Sequence, residues 1–308
     1  MVIFNASGCL DALTAPEVAR SLDVFVTKTV TPLPREGNPP PRIAETNVGM
    51  LNSIGLANPG ADVFLREHLP RLAELGVPLW VSVGGFSAGD YAHVCSLLDG
   101  RSEVATIELN LSCPNVAAPE ADALEIVAAA RAATGKPLYA KLSPALPDIP
   151  AVAAAAAGAG ANGLSLVNTI RGLALDERTL RPRLSTATGG LSGPALKPIA
   201  LAAVYACAAA VDLPIVGMGG VWSGRDALEL IAAGASAVAL GTVLFADPGA
   251  PARIRAELAA EAAALGVDNP LAVRGIAHGG GKTLHSPPVE NLRTEVAEKA
   301  AISTENST

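Results

Sequence analysis

The feature that most constrains this chain is an alternation, repeated eight times, of short apolar β-type runs with Ala- and Leu-rich helical stretches. Strand candidates fall at residues 2–6, 24–28, 79–83, 105–110, 138–142, 163–168, 214–218 and 235–240. Each is followed by a helix candidate, at 16–22, 61–75, 88–98, 118–133, 149–159, 197–210, 224–233 and 251–265. Strands and helices that alternate at this spacing give parallel strands joined by crossover helices. Eight pairs predict an α/β protein with a single (β/α)8 TIM barrel. An open doubly wound sheet shares the alternation, but the glycine pattern after the first strand is not a dinucleotide fingerprint.

The 308 residues suit one barrel at 1–278 followed by a tail. The tail, 279–308, opens with three glycines and becomes polar and charged, which predicts a mostly disordered segment. Half of the residues are hydrophobic but only 3% are aromatic, so the core must be built from Ala, Val, Leu and Ile. A formal charge of -7 without a dense Lys/Arg cluster leaves no electrostatic footprint for nucleic acid or an anionic membrane. No apolar run reaches the roughly 18 residues that span a bilayer, and the N-terminus lacks an export signal. Cys9, Cys95, Cys113 and Cys207 show no metal-binding or paired spacing, which fits a reducing cytoplasm.

Two connections, 29–59 and 169–194, are far longer than ordinary βα loops. They follow the second and sixth strands and should shape an active site. The first contains Pro34-Arg35-Glu36-Gly37-Asn38-Pro39-Pro40-Pro41-Arg42, which cannot be helical and predicts a rigid excursion with a small hairpin.

In a barrel, polar residues at the carboxyl ends of strands face the active site. That rule selects Ala6, Ser7, Gly8, Lys28, Thr29, Ser82, Asn110, Lys141, Asn168, Thr169, Gly217, Met218, Gly219, Gly220, Gly241 and Thr242. The glycines at 217–220 and 241 end the seventh and eighth strands, where backbone amides can approach a phosphate closely. Either group alone reads equally well as a tight turn, and together they favour a phosphate. The segment 188–198, with Gly193 before a helix, could close over it.

Lys28 and Lys141 end buried-type strands, so each needs an anionic or electron-rich partner. An ion pair with a carboxylate is the structural alternative, but Glu108 is the one acid at these strand ends, so a functional role is favoured. Asn52, Asn110, Asn115 and Asn168 offer carboxamides that suit a uracil-like ring with alternating C=O and N–H groups. A single Asn is more often a turn or cap. Cys113 sits just past the fourth strand in Ile107-Glu108-Leu109-Asn110-Leu111-Ser112-Cys113-Pro114-Asn115, facing the ligand as a base or nucleophile. Cys9, Cys95 and Cys207 lie among apolar neighbours and are expected to be inert. None of the four histidines pairs with Cys113 at a strand end, which disfavours a Cys-His hydrolase.

From Asn5 to about Pro248 these residues resemble the class 1 dihydroorotate dehydrogenases, FMN-containing barrels of pyrimidine biosynthesis. The motifs are N-A-S-G, T-K-T-V-T-P-x-P-R-x-G-N-P-x-P-R, L-N-S-I-G-L-x-N-P-G, N-L-S-C-P-N, K-L-S-P, V-N-T-I, T-G-G-L-S-G-P-A-L-K-P and G-M-G-G-V. The resemblance implies that Cys113 takes the C5 proton of dihydroorotate while a hydride leaves C6 for flavin N5, giving orotate. It implies a substrate shell of Lys28, Asn52, Gly55, Leu56, Asn110, Asn115, Asn168 and Thr169. It implies FMN contacts from Ala6, Ser7, Lys28, Thr29, Asn110, Lys141, Gly193, Gly219, Gly220, Gly241 and Thr242, with Lys141 near the N1/O2 edge.

The forms K-L-S-P and G-M-G-G-V look most like the NAD-linked subclass. That subclass implies a homodimer that joins an FAD/[2Fe–2S] electron-transfer subunit in a heterotetramer, and this chain has no spaced cysteines to supply such centres itself. N-A-S-G also occurs in the fumarate-linked subclass, and Ser82 stands where the family often has Asn. Outside the resemblance, a Schiff-base lyase using Lys141 or Lys28, or a non-catalytic phosphate-binding barrel, would share the strand-end pattern.

Overall fold

A computed structural model describes residues 2–111 and 121–279, the first two of the latter by backbone alone. Twelve strands run through these residues. They are β1 (Ile3–Asn5), β2 (Phe25–Val26), β3 (Ile43–Thr46), β4 (Gly49–Asn52), β5 (Leu79–Val83) and β6 (Val104–Asn110). There follow β7 (Leu138–Leu142), β8 (Gly163–Leu166), β9 (Ile170–Leu173), β10 (Thr188–Ser192), β11 (Ile215–Met218) and β12 (Ala237–Leu240).

Eight of them form one parallel sheet in the order β1-β12-β11-β8-β7-β6-β5-β2. Each predicted barrel strand is present, with helices such as Ala88–Asp99, Lys197–Ala210 and Gly224–Ala233 between them. The strands are legible because both faces are buried: Leu79–Val83 and Leu138–Leu142 are covered along their whole length. Alternate side chains divide between two cores. Phe4, Trp80, Tyr139, Val216 and Met218 fill the barrel, while Ile3, Leu79, Val81, Leu109 and Leu164 meet the helices. Trp80 is central, 4.8 Å from the Phe4 ring and 4.4 Å from the Tyr139 ring. Gly163 makes room for Tyr139, because a Cβ there would lie 2.3 Å from that ring.

The seam between β1 and β2 closes the barrel largely through side chains. A single bridge joins Phe4 and Val24, and the Asp23 N–H donates to the Ile3 carbonyl at 2.9 Å. Beyond it the fully buried Asn5 carboxamide replaces the ladder, donating to the Val26 carbonyl at 2.7 Å and accepting from its N–H at 2.8 Å. Strand β2 is therefore only Phe25–Val26, shorter than the predicted 24–28.

One predicted helix is broken. The stretch 61–75 forms Ala61–Val63, a wide π turn at Phe64–His68, and Leu69–Ala73. Pro70 has no N–H and its ring would strike the Arg66 carbonyl in a regular helix, so the preceding turn widens. The fourth barrel helix is described as Ala121–Ala133, and its predicted first three residues lie outside the described ones, as does 280–308 of the predicted tail.

The two long connections pair with each other. Strands β3 and β4 come from the first and β9 and β10 from the second, forming an antiparallel sheet in the order β3-β4-β10-β9. Gly190 faces Asn52 and Leu191 faces Leu51 in its central register. This sheet roofs the carboxyl ends of the barrel strands.

Candidate active site

Between barrel mouth and roof lies a cavity of about 310 Å³. Of the predicted strand-end and roof residues among the described ones, all but Ser82 and Gly217 line it. Ala6 and Ser7 follow β1, Lys28 and Thr29 follow β2, and Asn110 and Lys141 come from β6 and β7. Asn168 and Thr169 follow β8, Gly219 and Gly220 follow β11, and Gly241 and Thr242 follow β12. From the roof come Asn52, Gly55, Leu56 and Gly193. Cys113 and Asn115 lie outside the described residues.

A hydrogen-bonded row fixes the polar floor. Asn168 Nδ2 donates to Asn110 Oδ1 at 3.0 Å, and Asn110 Nδ2 donates to Thr29 Oγ1 at 3.1 Å. Thr29 Oγ1 lies 3.1 Å from Ser82 Oγ, and the Tyr91 hydroxyl donates to the Asn110 carbonyl at 2.8 Å. Each Asn is held in one orientation, and Asn110 keeps an amide N–H and an acceptor lone pair beyond these bonds. Ser82 is fully buried beneath Thr29 and does not line the cavity.

Lys141 is buried to 4% exposure, with Nζ donating to Ser7 Oγ at 2.9 Å and standing 3.5 Å from Glu108 Oε1. The ion pair weighed against a functional role for this lysine is therefore present, alongside its place in the cavity lining. Lys28 passes under Gly8, whose φ of 79° turns the chain across the mouth. A Cβ on Gly8 would come within 3.2 Å of the lysine stem.

The roof loop carries consecutive left-handed residues, Gly55 at φ 73° and Leu56 at φ 59°. For leucine this conformation costs about 1–2 kcal/mol. Asn58 holds it in place, with Nδ2 donating to the Leu56 carbonyl and to Thr31 Oγ1, both at 2.7 Å. Its Oδ1 accepts from Gly60 N at 2.9 Å. Asn52 Nδ2 reaches across to the Gly190 carbonyl at 3.3 Å and ties the two connections together.

Several lining residues were not singled out by the sequence. Ile43, Met50 and Ile54 give the roof an apolar underside, and Phe245 stands beside Thr242 at the rim. Cys9 corrects an expectation: it lines the cavity instead of lying among apolar neighbours, because the Gly8 turn carries it there. Burial pushes its thiol up, against the pull of Lys141 and Lys28. Cys95 and Cys207 are buried as expected, and burial pushes both thiols up to about 12.

The glycines at the seventh and eighth strands have different causes. Gly219 and Gly220 have φ of 118° and 75°, and added Cβ atoms would lie 2.9 Å from Ala200 Cβ and 2.7 Å from Lys197 N. Gly193, at φ 98°, would meet Gly49 at 2.6 Å. The turn reading accounts for these three. Gly241 is different: its φ is not left-handed, and among the described residues a Cβ would find no atom nearer than Cys9 Sγ at 3.9 Å. The surrounding protein gives no reason for glycine there, whereas a ligand pressed against the backbone does.

Residues 1–261 match the model of the dihydroorotate dehydrogenase family. The catalytic subunit of dihydroorotate dehydrogenase B (NAD(+)) from Desulforudis audaxviator is 46% identical over 244 residues, covering 77% of this chain and 80% of that one. A Solibacter usitatus protein, provisionally named dihydroorotate dehydrogenase A (fumarate), is also 46% identical, over 245 residues, with 77% and 81% covered. Among solved structures, the Eimeria tenella enzyme in complex with ferulenol superposes with a TM-score of 0.77 at 24% identity, covering 91% of this chain and 86% of that one, a likeness of fold. Enzymes of this family are FMN-dependent flavoproteins, and the open space at Gly241 beside the Gly219-Gly220 turn suits a phosphate-bearing cofactor. The (β/α)8 chain with this roofed cavity belongs to the dihydroorotate dehydrogenase family.

Proposed function

We propose that the cavity binds FMN and oxidises (S)-dihydroorotate to orotate. Ala6, Ser7, Thr29, Lys141, Gly193, Gly219, Gly220, Gly241 and Thr242 would hold FMN. Lys28, Asn52, Gly55, Leu56, Asn110, Asn115, Asn168 and Thr169 would hold the substrate, with Lys28 and Asn110 touching both. Bound FMN supplies the acceptor for a hydride from C6. Cys113 takes the C5 proton, so that the two hydrogens lost from dihydroorotate are fully accounted for.

The protein's own groups do the rest. Asn110 and Asn168, locked by mutual hydrogen bonding, present donors and acceptors to a planar ring without reorienting. The Lys28 ammonium would neutralise the substrate carboxylate, and Lys141 would face charge that develops on the cofactor. The underside formed by Ile43, Met50 and Ile54 keeps water from the reacting faces.

The observation that carries the reading is Gly241, the lining glycine that protein packing leaves unexplained. Its test is a yellow protein whose flavin is bleached by dihydroorotate under anaerobic conditions. Replacing Cys113 by Ala should slow bleaching about 10²- to 10⁴-fold while FMN stays bound, the usual contribution of a general base. A colourless protein without FMN affinity would refute the cofactor, and bleaching at an unaltered rate would refute the base.

For the acceptor, the favoured route is to NAD through a partner subunit bearing FAD and a [2Fe–2S] cluster, with this chain as a dimeric catalytic subunit. It is supported by the similarity to NAD-linked catalytic subunits. The Solibacter relative at equal identity supports fumarate as a second reading. Turnover with fumarate by the isolated chain, and none with NAD when the partner is added, would select the second.

A further inference from the structure

Beneath the floor of the cavity the barrel interior holds a charge that the proposed reaction does not use. Glu108 lies in β6, opposite Ser82 of β5 and Tyr139 of β7. Its side chain is 1% exposed, and among the described residues Oε1 accepts no hydrogen bond. Lys141 Nζ stands 3.5 Å away, on a side chain that is 6% exposed and lines the cavity from below. The hydroxyls of Thr106 and Ser165 and the Trp80 indole N–H are likewise buried without hydrogen-bond partners among the described residues.

Stability does not explain such an arrangement. Two charges are desolvated, one carboxylate oxygen lacks a hydrogen-bond donor, and buried ion pairs of this kind can often be replaced by neutral groups without loss. At one end of the pair, however, is the cation that faces the bound ligand. A carboxylate 3.5 Å behind it opposes its field in a medium that screens weakly.

We infer that Glu108 is a counter-charge that tempers Lys141 and thereby sets the reduction potential of the cofactor in the cavity. The inference rests on the FMN reading above. With Glu108 ionised the pair is close to neutral toward the ligand. Without that carboxylate the cation is less opposed and favours the more negative, reduced cofactor, so reduction becomes easier. A purely structural role makes the opposite prediction: a lysine released from its anchor would withdraw, and reduction would become harder.

The sign of the shift therefore decides. The midpoint potential of bound FMN is measured by dye equilibration at one fixed pH for all variants. Glu108→Gln should shift the oxidised–reduced equilibrium about tenfold toward reduced, which is about 30 mV upward for a two-electron couple. Glu108→Asp, which keeps the charge, should remain within about threefold of the parent equilibrium. The double variant Glu108→Gln/Lys141→Gln, with neither charge, should fall back from the single variant toward the parent.

An unchanged or lowered potential in Glu108→Gln overturns the inference. Should that variant not fold, the double variant carries the test, since it leaves no charge buried alone. A potential close to the parent supports the counter-charge, and a drop of about 30 mV or more, the tenfold equilibrium shift expected for losing the lysine's charge alone, overturns it. A parent protein that takes up no FMN refutes the flavin reading itself, a result visible before any variant is compared.

Discussion

Replacing Gly241 by Ala separates the ligand's demands from the protein's. Among the described residues the added methyl would meet nothing closer than Cys9 Sγ at 3.9 Å and Ala6 Cβ at 4.0 Å, and the backbone there is not left-handed. Ala should therefore fit the FMN-free protein and add about 0.4–1 kcal/mol of stability by restricting the unfolded chain. The same methyl would hold a phosphate away from the backbone. Losing one charge-assisted hydrogen bond costs about 1.5–3 kcal/mol, which weakens FMN binding about 10- to 100-fold. Gly220→Ala is the control, because its methyl would lie 2.7 Å from Lys197 N at a φ of 75°. That substitution should cost about 1–3 kcal/mol with or without FMN. Urea midpoints of the FMN-free proteins and fluorescence titration with FMN measure the two effects separately. Undiminished FMN affinity in Gly241→Ala would refute the argument that a ligand requires this glycine, and a destabilised FMN-free protein would show that packing requires it instead.

Asn5→Leu should lower stability by about 2–5 kcal/mol, because both Val26 backbone groups lose a buried partner at the closing seam. A urea-unfolding difference under about 1 kcal/mol would mean that the seam is held in some other way. Asp226 caps the helix Gly224–Ala233 and pairs with Lys197 at 2.7 Å. Burial alone would raise its carboxyl, but hydrogen bonds from Lys197, Ser223 and Trp222 N–H outweigh that and hold it below the ordinary Asp value. Its contribution is thus fully present above the unfolded pKa, near 4, and is lost as pH falls through the lower folded value. Asp226→Asn should cost about 1–2 kcal/mol at pH 7, and unfolding curves of the two proteins should converge below about pH 4. A gap that persists undiminished at pH 3 would refute the linkage.

The barrel was legible because its strands are apolar on both faces and its helices recur between them. Local pattern sufficed for Leu79–Val83 or Leu138–Leu142, whose residues are buried throughout. It failed where the determinant was distant. Strand β10, Thr188–Ser192, contains two glycines and little apolar surface, and it is a strand because β4 and β9 flank it. The sequence therefore predicted a small hairpin in the first connection but no joint sheet. Strand-end polarity was enough to gather Asn110, Asn168, Lys141 and the glycines into one site. It could not show that Asn5, one residue before them, works as a piece of backbone ladder, or that Gly8 swings Cys9 into the cavity. Nor could it separate glycines required by turns from Gly241, a distinction that needs the positions of neighbouring atoms.

The roof also has a consequence for how the chain is made. Asn52 and the Gly190 carbonyl that it meets are separated by 138 residues. At about 5–20 residues per second, a ribosome needs roughly 7 to 28 s to supply the second after the first. During that interval the edge of Gly49–Asn52 that will meet Thr188–Ser192 stands open, a row of backbone donors and acceptors available to any passing strand. The nascent chain is then most exposed to mispairing, and a chaperone that shields this hairpin would act before most of the barrel exists. A chain cut short before Thr188 would lack the strand that completes the roof.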